Sequence, residues 1–397
     1  MTANSGRNTR ISRGSTSDHG LTEPSTPAAN RTRLVIRAAV LPGPHSALVV
    51  TEVELAPIGP GDVVIEVGAS GICHSDLLAI EGRLEPPSWP AILGHEAAGR
   101  IAAIGGQVAD LKVGDRVVAS FVAACGRCFW CTRDQSYLCE SHAKIAQASK
   151  PKLRWQGRDV YATGVLGSFA EAMVVPADAA IRVDSDLPDS VLALVGCALS
   201  TGVGAVTNAA KMTAGESALV IGVGGVGQAV IQAARLVGAF PIIAVDPDHK
   251  KRDAALAAGA SLALDPATTD VVGRCRAEVG GRGVDFAFES AGLEATSLQC
   301  YEATRRGGTV VFVGAQPPMA KPGWDALDQM RSGRRTIGAL YGCSQPRRDF
   351  PRLVQLLEAG LISARSLVSD TYRIEDINNG IRALTSGAAT RGVVEFA

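Results

Sequence analysis

Aromatic side chains are scarce in this 397-residue chain, at 5% of positions, and net charge is absent: 39 Lys and Arg balance 39 Asp and Glu. A chain without a basic excess offers no electrostatic footprint for nucleic acid or an acidic membrane surface. Long hydrophobic runs are also lacking. The one candidate span, 217–234, is interrupted by glycines and ends at Arg235, so no membrane helix is expected. No apolar core of a secretory signal precedes the first strand. No repeat recurs at solenoid spacing. Nine cysteines without a secretory signal point to a reducing, cytoplasmic setting, and to metal binding rather than disulfides.

What is abundant is Ala, Gly and Val, which suits α/β layers with close helix–sheet packing. The first 33 residues are rich in Ser, Thr, Asn and Arg without apolar periodicity, and are expected to form a disordered tail. From Leu34 short alternating runs such as 49–55, 62–68, 99–104 and 115–122, divided by Pro and Gly, predict a small, partly barrel-like antiparallel domain.

Chemistry-bearing residues stand out against this background. Gly71-Ile72-Cys73-His74-Ser75-Asp76 and Gly94-His95-Glu96 offer a thiol and an imidazole, ligands that suit a borderline-soft ion such as zinc. Cys197 is the best third donor. Two cysteines and one histidine leave a tetrahedral ion one open position, the mark of a catalytic site. The competing reading is plain packing, since free cysteine is often a small buried hydrophobe. A second group, Cys125, Cys128, Cys131 and Cys139, has the spacing C-x2-C-x2-C-x7-C. Four thiolates so close can enclose one structural zinc; an iron–sulfur cluster or disulfides are the rivals.

A strand-like run, 216–221, leads into Gly222-Val223-Gly224-Gly225-Val226-Gly227, then a helical pattern over 228–238 and a strand ending at Asp246. This is G-x-G-x-x-G between strand and helix with an acid about twenty residues on, the arrangement that binds a dinucleotide. Asp246 suits the ribose hydroxyls of NAD and would repel the 2′-phosphate of NADP; the basic group His249, Lys250, Lys251 and Arg252 weakens that discrimination. Further βα alternation follows, with strands at 284–289 and 308–313, helices at 293–305, 352–359 and 374–386, and a closing strand at 392–396. Residues 188–210 read as a helix interrupted by glycines.

Taken together and in this order, these motifs resemble the zinc-dependent medium-chain alcohol dehydrogenases over nearly the whole chain from Leu34. The resemblance implies an α/β protein with a GroES-like, β-rich catalytic domain (34–210, structural-zinc lobe 125–139), a doubly wound Rossmann domain (211–343) and a return to the catalytic part (344–397). It implies two zinc ions per chain, NAD, a small alcohol or aldehyde substrate, and a homodimer or homotetramer. Cys73, His95 and Cys197 match the catalytic zinc ligands, Asp76 the acid that orients the ligand histidine, Glu96 an acid near the ion, and Ser75 the hydroxyl that takes the proton. Gly222, Gly224, Gly225, Val226, Gly227 and Asp246 match the cofactor fingerprint, with Lys251 near the ribose, Arg391 at the pyrophosphate, Val313 beside the nicotinamide and Phe121 in the substrate pocket. Glu96 is equally accounted for as a paired core carboxylate, and Lys251 and Arg391 as solvated surface charges. The chain departs from the family at His74, where several members carry Arg, and at Leu78, where many end a proton relay in His. Two alternatives remain: oxidation of S-hydroxymethyl thiol adducts, and a non-catalytic protein that binds NAD and zinc.

Overall fold

The computed structural model describes residues 34–84, 88–142, 144, 152–317, 319–364, 367–387 and 390–396. The tail expected over 1–33 therefore lies outside the described residues.

The β-rich part has two sheets. Val35–Leu41, Val49–Leu55, Leu153–Trp155, Arg158–Ala162 and Ala91–Ile92 close a barrel. The first two pair antiparallel, while Ala91–Ile92 and Arg158–Ala162 run parallel, a departure from the all-antiparallel expectation. The second sheet is centred on Asp62–Ile72, flanked by Glu96–Ile104 and Gly392–Glu395. The C-terminal strand thus lies against a strand more than three hundred residues earlier.

One register in this sheet builds the site. Gly71 stands opposite Glu96, so Cys73 and His95 lie just beyond adjacent strand ends. A Cβ on Gly71 would strike the Glu96 carboxylate, and only glycine lets the two strands carry that acid between them. After Ile72 the chain turns into helix His74–Ile80.

The third sheet has six parallel strands. Their order is Leu262–Leu264, Ile242–Val245, Ala218–Ile221, Val284–Glu289, Thr304–Phe312, Arg335–Gly338. Counted from Ala218–Ile221, this is the doubly wound 3-2-1-4-5-6 arrangement, whose switch point lies beside the first strand. Gly222 leaves that strand with φ +87°, a conformation open to glycine, and helix Gly225–Leu236 follows. The apolar run 217–234 is this buried strand, turn and helix; among the described residues no single helix is long and apolar enough to cross a membrane.

The helix expected over 188–210 is broken into Asp189–Leu192, the 3-10 turn Ala193–Gly196, helix Ala198–Gly204 and the π turn Ala205–Ala210. The break falls at Cys197, whose φ −146° and ψ −70° leave the helical region, and the two halves meet at 50°. Helix Ala198–Gly204 packs on Gly225–Leu236, with Gly202 against Ala229, which sets Cys197 beside the glycine turn. Two boundaries also shift: Thr304 and Arg305 belong to the strand rather than the preceding helix, and the helix expected from Arg352 starts at Pro346. Proline suits a first helical turn because its missing N–H would have no partner there.

Candidate metal and nucleotide site

Cys73 is the residue before helix His74–Ile80, and Asp76 holds it there. One Asp76 oxygen accepts from the Cys73 N–H at 2.8 Å. The other accepts from the Gly94 N–H at 3.1 Å and lies 3.4 Å from His95 Nδ1. A carboxylate on Nδ1 fixes the imidazole plane and leaves Nε2 as the free donor atom; Ser75 Oγ is 3.2 Å from that Nε2. Cys197 arrives from its helix break. The donor atoms of Cys73, His95, Glu96 and Cys197 all lie within 4.8 Å of one another.

The donor chemistry fits zinc. The Cys73 thiol is held well below its ordinary pKa by a hydrogen bond from Cys197, with Arg391 and His95 adding to it against the cost of burial. Cys197 is pushed up by its bond to Cys73 and by burial. The two thiols thus pull each other in opposite directions, and a divalent cation between them would favour ionisation of both. Glu96, a member of this group, is also tied to Arg391. Its Oε1 accepts from Arg391 Nη1 at 2.6 Å with both side chains buried, and among the described residues its Oε2 and Arg391 Nε have no partner. Burial raises its pKa to about 7, while Arg391 pulls the other way.

In the lobe the four sulfurs of Cys125, Cys128, Cys131 and Cys139 also gather within 4.8 Å. All four cysteines are free, and Cys128 Sγ lies 3.9 Å from Cys139 Sγ, far beyond a disulfide bond. Of residues 125–139 only Ser136 and Cys139 are buried, with Tyr137 and the other three cysteines packed against the core from a largely exposed segment. Burial of Cys125 is outweighed by hydrogen bonds from Ser141 and the Arg127 and Cys128 N–H groups, which bring its thiol to about 6. Burial and Cys128 push Cys131 to about 12. An ion enclosed by the four thiolates would replace this mixed protonation.

A cavity of about 1280 Å³ joins the first cluster to the parallel sheet. Its walls include Cys73, His74, Ser75, Asp76, His95, Phe121 and Cys197. They also include Gly222, Gly224, Gly225, Val226, Gly227, Asp246, Lys251, Val313 and Arg391. Glu96 lies behind the wall. Asp246 is buried at the end of Ile242–Val245; its oxygens accept from the Val223 and Asp248 N–H groups at 3.0 and 2.9 Å, and each keeps capacity for a ribose hydroxyl. Of the basic group nearby, Arg252 is spent on the Asp246 and Pro247 carbonyls and on Asp265. Arg391 lies against Gly225 of the turn while bonded to Glu96, so one side chain spans the glycine turn and the ligand cluster. His74 is exposed, and Leu78 is buried.

Sequence reasoning missed Tyr341, Leu340, Thr201, Ser290 and Leu84, all in the same walls. Tyr341 is fully buried, which holds its phenol well above the ordinary pKa and keeps the hydroxyl a donor. Its ring lies tilted against Phe121, centroids 4.0 Å apart, and Phe121 stands edge-on to His95 at 5.6 Å.

Two family models match the chain: an alcohol dehydrogenase GroES-like domain over 59–185 and a zinc-binding dehydrogenase domain over 225–359. The NDMA-dependent alcohol dehydrogenase of Amycolatopsis methanolica is 34% identical, across 90% of this chain and 98% of that protein. Among solved structures, the alcohol dehydrogenase zinc-binding domain protein from Burkholderia ambifaria superposes with TM-score 0.87 at 32% identity, covering 92% of this chain and 99% of that one. The benzyl alcohol dehydrogenase of Acinetobacter calcoaceticus gives 0.84 at 30%, covering 92% and 100%.

Proposed function

Because the chain belongs to the zinc-dependent medium-chain alcohol dehydrogenase family, we propose the following division of labour for a zinc-dependent oxidoreductase that moves a hydride reversibly between an alcohol and NAD. Cys73, His95 and Cys197 hold the catalytic zinc, and Cys125, Cys128, Cys131 and Cys139 hold a structural one. When bound, the catalytic zinc supplies Lewis acidity that makes an alcohol hydroxyl easier to deprotonate, and NAD supplies the hydride acceptor.

The protein's own groups do the rest. Asp76 keeps His95 Nδ1 occupied so that Nε2 faces the ion. Ser75 Oγ would receive the proton that leaves the alcohol, and with Leu78 in place of a relay histidine, exposed His74 would pass it to water. Arg391 neutralises Glu96 and keeps that carboxylate from competing as a ligand, while meeting the pyrophosphate beside Gly225. The 222–227 turn presents backbone N–H groups to the phosphates, Asp246 takes the ribose hydroxyls with Lys251 alongside, and Val313 flanks the nicotinamide. Phe121, Leu84 and Leu340 give the substrate an apolar wall. Residues 34–210 and 344–397 then form the catalytic part and 211–343 the nucleotide part. Among the described residues strand Arg335–Gly338 lies at the edge of its sheet, which favours a homodimer or homotetramer through that edge. A small-molecule substrate and a cytoplasmic setting, with no nucleic-acid or membrane partner, complete the reading.

The observation that carries this proposal is that the donor atoms of Cys73, His95 and Cys197 lie within 4.8 Å of one another in the wall that also contains the glycine turn. A thiol conjugate bearing carboxylates would need cationic partners. Of the Lys and Arg side chains among the described lining residues, Arg391 is already bonded to Glu96 and Lys251 is assigned to the ribose beside Asp246, so the alcohol reading is preferred. The test is a panel of aliphatic and benzylic alcohols with NAD and with NADP, plus formaldehyde with and without added thiol, followed by nucleotide reduction. NAD-linked turnover of an alcohol is expected. A protein that holds two zinc ions and binds NADH, yet reduces NAD with none of the panel, would sink the reading.

A further inference from the structure

Tyr341 touches the supports of two of the three ligands assigned above, and nothing in the sequence marks it. It is 2% exposed and lies in the cavity wall. Its φ of +57° falls in the left-handed region, and Gly342 follows at +61°. A bulky aromatic is disfavoured there, and such strain persists where the surroundings over-determine it. The surroundings are specific. The Tyr341 hydroxyl donates to the Gly196 carbonyl at 2.5 Å, the peptide group that joins Gly196 to Cys197. It also lies 3.3 Å from Ser120 Oγ, which is itself engaged with the Val122 backbone. The ring packs on Phe121, whose edge meets His95, and its other neighbour is Phe350 at 6.3 Å.

The Gly196–Cys197 peptide sits where two helical segments break, so no continuous helix ladder sets its orientation. The buried Gly196 carbonyl would otherwise face the interior without the Tyr341 donor. A phenylalanine would fill the same ring volume; only the hydroxyl reaches that carbonyl. We propose that Tyr341 is a positioning residue for the catalytic ligand set, fixing Cys197 through its hydroxyl and His95 through its ring and Phe121. This rests on the zinc reading given above.

Tyr341→Phe separates the two arms, because it deletes the hydroxyl and keeps the ring contact. With both zinc ions present, kcat is expected to fall about tenfold with KM for NAD unchanged, a size typical of disturbing a metal ligand's support. Loss of the catalytic zinc to a chelator should quicken by a similar factor. In enzyme whose catalytic zinc has been exchanged for cobalt(II), the thiolate-to-cobalt absorption should shift. Cys73→Ser protein treated alike identifies which part of the spectrum belongs to this site. Tyr341→Phe with wild-type kcat, chelator rate and cobalt spectrum overturns the proposal while leaving the zinc reading intact. Wild-type protein that shows no such absorption at the Cys73 site overturns both.

Discussion

The molecule gathers six of its nine cysteines into two clusters of opposite construction. In the lobe all four donors come from fifteen consecutive positions, a segment that includes the 3-10 turns Cys131–Arg133 and Ser136–Leu138 and mostly faces solvent. In the second cluster Cys73, His95 and Cys197 come from three separate segments, and each is fixed by something other than an ion. A sheet register sets Cys73 and His95, Asp76 binds both, and a helix break with the Tyr341 bond sets Cys197. The lobe is mostly exposed, anchored to the core through Cys139 and Tyr137, so an ion enclosed by its thiolates would be its main further restraint, whereas the fold assembles the second cluster in advance. On the reading proposed above, a metal in the first place would supply stability and in the second would supply chemistry.

The sharpest way to break this contrast is to remove one thiol from each. Cys73→Ser is expected to carry one zinc instead of two, to lower kcat by roughly a thousandfold or more, and to leave the unfolding temperature nearly unchanged, since the sheet register survives. Metal analysis beside steady-state rates checks this; an active one-zinc variant would erase the assignment. Cys139→Ser should do the reverse. Its unfolding temperature should drop by roughly 5–10 °C, on the scale at which a few kcal/mol moves a domain of this size, and protease should cut within 125–139. Turnover per folded molecule should stay within about threefold of wild type at low temperature. Calorimetry and limited proteolysis decide. Should the lobe variant lose activity as completely as Cys73→Ser while keeping its melting temperature, the two clusters would not differ in kind.

The same contrast explains what could be read from the sequence. The lobe and the 222–227 turn were legible because their chemistry is local: ligand spacing and glycine placement are properties of a few neighbouring residues. Cys73 and His95 were legible as donors because each sits among glycines at a strand end. Their meeting depends on the pairing of Gly71 with Glu96, which no local pattern dictates. Cys197 was legible as a donor but the shape around it was not, since the apolar composition of 188–210 reads as one helix and hides the break that turns the thiol inward. Tyr341 escaped altogether: a positive φ at a tyrosine has no sequence signature, and its partner carbonyl is 145 residues away. Glu96 was legible as an acid near the ion, yet its pairing with Arg391 spans 295 residues and emerges only once the final strand joins the second sheet. The parallel contact between Ala91–Ile92 and Arg158–Ala162, two residues deep, was equally invisible.

A smaller effect sharpens the comparison from inside the lobe. Arg133 places its guanidinium 3.8 Å over the Phe129 ring and donates to the Phe129 carbonyl at 3.1 Å, while Phe129 meets Trp130 edge-on at 5.1 Å. Phe129 is 53% exposed, so this cation–π contact is worth about 0.5–1 kcal/mol. If enclosed metal is what orders the lobe, Arg133→Ala should shift the unfolding temperature of the zinc-loaded protein by roughly 2 °C or less and leave kcat and KM untouched. After the lobe has been stripped of its ion, the same substitution should visibly speed proteolysis within 125–139, because the Phe129–Arg133 contact is then among the few that restrain the chain. Comparing proteolysis rates of the two proteins before and after chelation reads this out. An Arg133→Ala protein that melts as early as Cys139→Ser while still holding its zinc would mean that side-chain packing, and not the thiolate shell, keeps the lobe closed.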